Sequence, residues 1–307
     1  MHNIPNTFSP LIFRKTHEIE MMGRLLLQLS LMHQIKNFQT ENIEVIASFL
    51  SMEGESLSNR QIKAILEHRV IKVRKEEMRE VKNISRVCQY LSMWDPLSIQ
   101  DLKHAHLLLL KGLDPEAGEF RKEQVIVVEG KRVTHIPPAP GEIATLMQEQ
   151  FRYIRTHKKV SWILKACIFH YGIQYIHPFI DGNGRMGRIW QHLLLLKANP
   201  IFNYILIGSL IKENSRAYYQ SLDKSDQKRN AHVFIEFCLR KITQAMKGIA
   251  KKNNIDSFLP LSRYYEALVK YKGSFDFKEY HHCFPYLSFS SLQRDIQLGR
   301  LFFAKLL

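Results

Sequence analysis

Residues 177–188 read His177-Pro178-Phe179-Ile180-Asp181-Gly182-Asn183-Gly184-Arg185-Met186-Gly187-Arg188. This short stretch holds an imidazole base, a carboxylate, two glycines around an asparagine, and two arginines. Apolar, helix-like runs flank it, Ser161 to Ile176 before and Ile189 to Leu196 after. The pattern places a polar turn between two buried helices and makes the protein mainly α. Gly182 and Gly184 can adopt backbone angles closed to other residues, which lets consecutive amides converge on one point. The following helix, starting near Gly184 or Arg185, offers unpaired amides and the positive end of its dipole. Arg185 and Arg188 are three apart and share a helix face, and their planar forks match phosphate oxygens. The turn reads as an anion site with a base, His177, beside it. A carboxylate at Asp181 next to a polyphosphate suits Mg²⁺. A buried turn with these charges would be costly to keep without a ligand.

Working outward, the 307 residues suffice for a full core and two domains. No apolar run is long enough to span a bilayer, and 1–13 lacks a basic start followed by an apolar block, so neither membrane nor secretory signal is expected. Cys88, Cys167, Cys238 and Cys283 are far apart and mostly in apolar contexts, as in a reduced cytoplasmic protein. His281, His282 and Cys283 lack a fourth metal ligand at useful spacing. The net charge of +15 and pI of about 9.6 favour an anionic partner, whether nucleotide, nucleic acid or acidic protein.

Before the central stretch, residues 14–52 show two wide apolar stripes and read as helical, with Gly54 ending the second helix. Ser58 starts another helix, and 72–82 is a charged, solvated helix face. Ser98 caps a helix to Leu110. Gln124–Val128 and Arg132–Ile136 are β-branched and read as a hairpin around Glu129-Gly130-Lys131, closed by Pro137, Pro138 and Pro140. Such a hairpin can pair its edge with an extended peptide. A helix from Glu142 to about Thr156 follows. After the centre, Tyr218 and Tyr219 lie on a helix, and His232–Ala245 is an amphipathic helix on which Lys241 must snorkel. Lys247–Asn254 reads as a basic linker. Three short helices then end in a strand-like tail, Leu301–Leu307, so 256–307 resembles a winged helix.

The central stretch resembles the signature of the Fic family, His-x-Phe-x-(Asp/Glu)-Gly-Asn-Gly-Arg-x-x-Arg, at every defined position from His177 to Arg188. The resemblance covers roughly 14–245. It implies a Fic-type helical bundle with a β-hairpin flap, divided here into an N-terminal helical region (1–95), a catalytic core (96–248) and the winged-helix-like unit (256–307). It also implies transfer of AMP from ATP to a hydroxyl of a protein. Carried over, His177 is the general base and Asp181 holds Mg²⁺. Gly182, Asn183 and Gly184 cradle phosphates, with Met186 and Gly187 in the same nucleotide-binding turn. Arg185 and Arg188 bind the β- and γ-phosphates, and Phe179 anchors the turn. Thr134 and His135 match the nucleotide-side end of the flap, along which the target protein lies at 124–136. Tyr218 and Tyr219 resemble an adenine-pocket pair, and Asp226 stands where an Asn is frequent.

Phe49-Leu50-Ser51-Met52-Glu53-Gly54 resembles the family's inhibitory motif, (Ser/Thr)-x-x-x-Glu-(Gly/Asn). By this resemblance Glu53 pairs with Arg188 and blocks the γ-phosphate position, a competition for one guanidinium that the chemistry supports. Phe49 departs from the expected Ser or Thr. The same Glu supports AMP removal in some relatives, and Fic proteins often form homodimers. Alternatives remain: a Fic-fold transferase with another donor, a DNA-binding regulator using Gln293, Arg294 and Arg300, and a metal phosphohydrolase built on His170, His177 and Asp181.

Overall fold

The computed structural model describes residue 5 and residues 7–31, 42–50, 57–129, 132–255 and 258–304. The chain begins with α1 (Pro10–Leu31), whose buried Ile12, Ile19, Met22, Leu26 and Leu29 recur at helical spacing. Next come α2 (Asn42–Leu50), α3 (Asn59–Leu66), α4 (Lys75–Tyr90) and α5 (Ile99–Leu110). Ser58 starts α3 through a capping box with Gln61, each side chain meeting the other's backbone amide. The Ser98 hydroxyl caps α5 by accepting from the Asp101 amide at 3.1 Å. The charged stretch at 72–82 is only partly a solvated face. It enters α4, where Val81, Ile84 and Val87 are buried.

Among the described residues two strands form, β1 (Val127–Glu129) and β2 (Arg132–His135), antiparallel, with Val127 opposite His135 and Val128 opposite Val133. Both are shorter than their β-branched runs: Gln124–Ile126 and Ile136 lie outside the ladder. A lone two-stranded hairpin is marginal in water, so this one needs anchoring from its base.

The chain then forms α6 (Ile143–Thr156), α7 (Trp162–Ile176) and α8 (Asn183–Ala198). Nearly every residue of α7 from Ile163 to Ile173 is buried, which makes it the central helix. It can lie that deep because glycines admit its neighbours. A Cβ on Gly172 would sit 2.2 Å from the Gln150 amide of α6, and one on Gly187 of α8 would sit 2.6 Å from the His170 ring. The chain continues as α9 (Gly208–Glu213), α10 (Ser215–Gln227) and α11 (His232–Lys252). The expected linker at 247–254 is therefore mostly the last turns of α11, kept helical by buried Met246 and Ala250. Lys241 snorkels as expected, its ammonium 5.6 Å from the Phe237 ring centre.

Three helices complete the molecule: α12 (Phe258–Lys270), α13 (Phe277–Cys283) and α14 (Phe289–Phe303). The tail expected as a strand, Leu301–Leu307, is instead helical through Phe303, the end of α14, and 305–307 lie outside the described residues. Aromatic packing overrides the β-type composition there: the Phe303 ring stacks on Tyr264 and Tyr265 at 5.7 and 5.9 Å. Among the described residues no strand follows α14 to form a wing. The C-terminal helices pack against α1 through the Arg24–Glu266 ion pair (2.7 Å) and buried Met21, which shares a small core with Tyr280, Phe284 and Leu292. No described helix is long and apolar enough to cross a membrane.

Candidate active site

The signature turn joins the C-terminus of α7 to the N-terminus of α8. Ser161 opens α7, its hydroxyl accepting from the Ile163 amide at 3.3 Å. The helix closes at His177, which adopts the left-handed conformation (φ 50°, ψ 60°). A non-glycine residue there is strained and persists only where its surroundings hold it. Gly182 (φ 77°) makes the second sharp bend and precedes the first turn of α8. Gly184, in contrast, lies within that helical turn, so one glycine rather than two supplies the left-handed step.

The turn is braced from inside. Phe179 is fully buried, its ring stacked on His106 of α5 at 3.7 Å and 7°. His106 accepts from the Gly118 amide through Nδ1 (2.8 Å), so Nε2 carries the proton and donates to the Asp181 carbonyl (3.0 Å). The Asn183 side chain spans the loop, accepting from the Phe179 amide at 3.0 Å and donating to the Phe179 carbonyl at 2.8 Å. Any cradling of phosphate by Asn183 thus falls to its backbone amide, which as part of the first helical turn lacks an intrahelical acceptor. Met186 is wholly buried and Gly187 abuts His170, so both serve helix packing.

Both arginines are buried but lead to different partners. Arg185 donates to Asp181 (3.0 Å) and to Glu80 of α4 (3.1 Å). Arg188 donates to the Phe49 carbonyl at the end of α2 (3.1 Å), and the Phe49 ring meets His192 edge-on at 5.6 Å. So the residue standing where a Ser or Thr was expected supplies an apolar contact and a carbonyl to α8. Glu53 and Gly54 lie outside the described residues.

His177 is partly buried, and desolvation pushes its imidazole down to about 4, with the nearby charge of Arg121 acting in the same direction. It is neutral at physiological pH, as a proton acceptor must be. Asp181 is well exposed, and its carboxylate accepts from the Gly182 amide and from Arg185. Among the described residues no cluster of three acidic, His or Cys side chains suits a metal. One exposed carboxylate nevertheless fits Mg²⁺ when phosphates and water complete the shell. His170 does not join such a site: it is fully buried and bonded to Gln191 (2.8 Å) and Tyr218 (3.2 Å).

Thr134 donates to the Val127 carbonyl across the hairpin (3.1 Å). His135 turns inward, its Nδ1 2.8 Å from Asp226 and its Nε2 2.7 Å from the Tyr175 carbonyl. The other Asp226 oxygen accepts from the Tyr171 hydroxyl at 2.6 Å. Asp226, placed by sequence in the adenine pocket, therefore ties β2 to α7 and α10. Tyr218 is packed among Phe234, Phe237 and His170, whereas Tyr219 is exposed and able to meet a ligand. Burial alone would lower the His135 imidazole, but its bonds to Asp226 and the Tyr175 carbonyl raise it above the ordinary value. This tether is complete below the ordinary histidine range and is lost as pH rises through the higher folded-state value. Protease nicking of the hairpin is expected to increase from pH 6 to 9 in the native protein and to be pH-independent in an Asp226→Asn variant.

Sequence reasoning missed Arg121, Glu80 and His106, which bind the turn from elements remote in the chain and carry no local motif of their own.

Helical bundle, hairpin and signature turn together make a Fic-type fold. The model of the Fic/DOC family matches residues 96–195. Protein adenylyltransferase Fic of Drosophila ananassae is 30% identical over 199 residues, covering 61% of this chain and 37% of the relative. That of Drosophila persimilis is 31% identical over the same length, with the same coverage. The chain thus spans little more than a third of the curated relatives it matches. A Fic family protein from Desulfovibrio desulfuricans superposes with a TM-score of 0.72 at 25% identity, covering 97% of this chain and 91% of that one. Fic-1 from C. elegans (residues 134–508) has the same fold, with a TM-score of 0.63 at 21% identity and coverages of 80% and 75%. Residues 96–195 thus match the Fic/DOC family, within a chain that has the fold of a Fic family protein over 97% of its length.

Proposed function

We propose that the chain is a protein adenylyltransferase. The carrying observation is the turn itself: a neutral His177 closes one buried helix, and the turn after it leads directly into the arginine-bearing first turns of the next. The names of the curated relatives point the same way. In the proposed reaction a target Ser, Thr or Tyr hydroxyl lies along the hairpin and loses its proton to the His177 imidazole. Its oxygen forms a bond to the α-phosphorus of ATP, the bond from that phosphorus to the β-phosphate oxygen breaks, and pyrophosphate leaves. Asp181 would hold Mg²⁺, which neutralises phosphate charge when bound. The first amides of α8, with Arg185 and Arg188, would orient the polyphosphate. Tyr219 would flank the base.

Restraint of this activity is part of the proposal. The end of α2 bonds to Arg188 in the present structure, and Glu53, three residues past that helix, would strengthen the obstruction. The test is intact-mass and peptide spectrometry of the Glu53→Gly protein after incubation with ATP, Mg²⁺ and a cell lysate. A gain of one AMP on a hydroxyl side chain, about tenfold or more above the native protein, is expected. A gain matching another nucleotide or a bare phosphate would replace ATP-derived AMP with a different donor group.

A further inference from the structure

Arg121 is one of the largest fully buried side chains in the protein, at 2% exposure. It is a permanent cation in a place where a cation is costly, and every acceptor it meets is a main-chain carbonyl. Its guanidinium donates to the carbonyl of His177 through Nε (2.8 Å), of Glu123 through Nη1 (2.8 Å) and of Pro138 through Nη2 (2.6 Å). Nη2 also lies 3.5 Å from the Ile176 carbonyl, and the Arg121 amide donates to the Pro178 carbonyl at 2.9 Å.

Two consequences follow from which carbonyls these are. Ile176, His177 and Pro178 are consecutive: the last residue of α7, its C-cap and the residue beyond. The last carbonyls of a helix have no intrahelical donor and form the negative end of its dipole, so a buried guanidinium there is both cap and counter-charge. The middle carbonyl belongs to the residue in the strained left-handed conformation, and strain of that kind needs an external restraint. Glu123 and Pro138, in contrast, are the two stems of the hairpin. One planar fork therefore joins the base-bearing turn to both ends of the flap. A lysine, with one nitrogen, cannot serve these directions together.

We propose that Arg121 is a positioning residue that fixes the His177 backbone and the hairpin stems in a single frame, so that the base and the bound target segment keep a constant separation. The proposal rests on the transferase assignment of the turn for its kinetic consequences, though not for its geometry. Displacement of a reacting group by about 1 Å can cost on the order of 10²-fold in rate. Loss of this frame should appear in kcat rather than in ATP binding, because the first turn of α8 is braced separately by Asn183 and His106.

The experiment compares Arg121→Gln and Arg121→Lys in the Glu53→Gly background, with AMP incorporation, ATP binding by calorimetry and the His177 ring signals by NMR measured on each. Arg121→Gln is expected to lose about 10²-fold in kcat with the ATP affinity within about threefold. Arg121→Lys should retain more activity, and added methylguanidinium should restore part of the loss in Arg121→Gln. In both variants the His177 ring should titrate nearer the ordinary histidine value than in the parent, as its turn relaxes towards water. An unchanged His177 titration in folded Arg121→Lys, or an ATP affinity that falls as far as kcat does, overturns the proposal. Should Arg121→Gln fail to fold, Arg121→Lys carries the same comparisons. If the Glu53→Gly parent itself transfers no AMP, the adenylyltransferase assignment fails, while the His177 titration still decides the role of Arg121.

Discussion

Replacing His177 with alanine is expected to lower AMP incorporation by about 10²–10⁴-fold, the range a positioned general base contributes. The fold should survive, because the turn is held through main-chain atoms: the His177 amide donates to the Ile173 carbonyl at 3.0 Å and its own carbonyl accepts from Arg121. ATP affinity should stay within about threefold, since the proposed phosphate contacts lie across the turn on α8. The pH profile adds a second test. Desolvation holds the His177 imidazole down to about 4, so its folded-state value is depressed. The neutral, active form persists to well below the ordinary histidine range and is lost as pH falls through about 4. The acid limb of kcat/KM, which reports the free enzyme, should therefore be centred near 4 rather than near 6.5. Equal labelling by His177→Ala would end the general-base assignment.

Gly208→Ala should do the opposite and raise basal activity by about tenfold or more. Gly208 opens α9, its amide donating to the Ser48 hydroxyl of α2 at 3.1 Å. A Cβ at this position would lie 2.1 Å from the Ser48 carbonyl oxygen, closer than any contact the backbone can absorb. Ser48 precedes Phe49, whose carbonyl holds Arg188. The added methyl must displace the end of α2 and draw the Phe49 carbonyl away from Arg188, at a stability cost of about 1–3 kcal/mol typical of overpacking. If α2 is the restraint, Gly208→Ala and Glu53→Gly act on one element, and combining them should add little beyond the stronger single change. A fall in activity with ATP binding intact would show instead that docked α2 supports the site.

The contrast between these two residues shows what could be read from the chain alone. The signature turn was legible because its chemistry is contiguous: base, carboxylate, glycine and arginines fall within twelve residues, and apolar runs on both sides announce the helices. Gly208 carries no such mark, since its importance comes from α2, 160 residues away. Arg121 and Asp226 are similar cases. A charged side chain before a hairpin, or an acid near the end of a helix, looks solvated until partners 56 and 55 residues distant enclose it. Tyr218 and Tyr219 are adjacent and chemically alike, so only packing separates the core member from the exposed one. At the C-terminus, Leu301-Phe302-Phe303 is too short a run to display a period, and rings from α12 decide that it is helical.

The close contact of α7 and α8 at Gly187 bears on how such a protein can be switched. Two helices that meet without room for a methyl group cannot slide or rotate past each other by small steps. In the proposed reaction the base on one and the arginines on the other would then stay assembled, whether or not work is to be done. Sliding of α7 along α8 is then a poor means of control, and the proposed obstruction by the end of α2 needs no such movement. A plug of the proposed kind could be gained, lost or retimed by mutation without rebuilding the machinery beneath it, and regulation and chemistry would then be free to evolve separately.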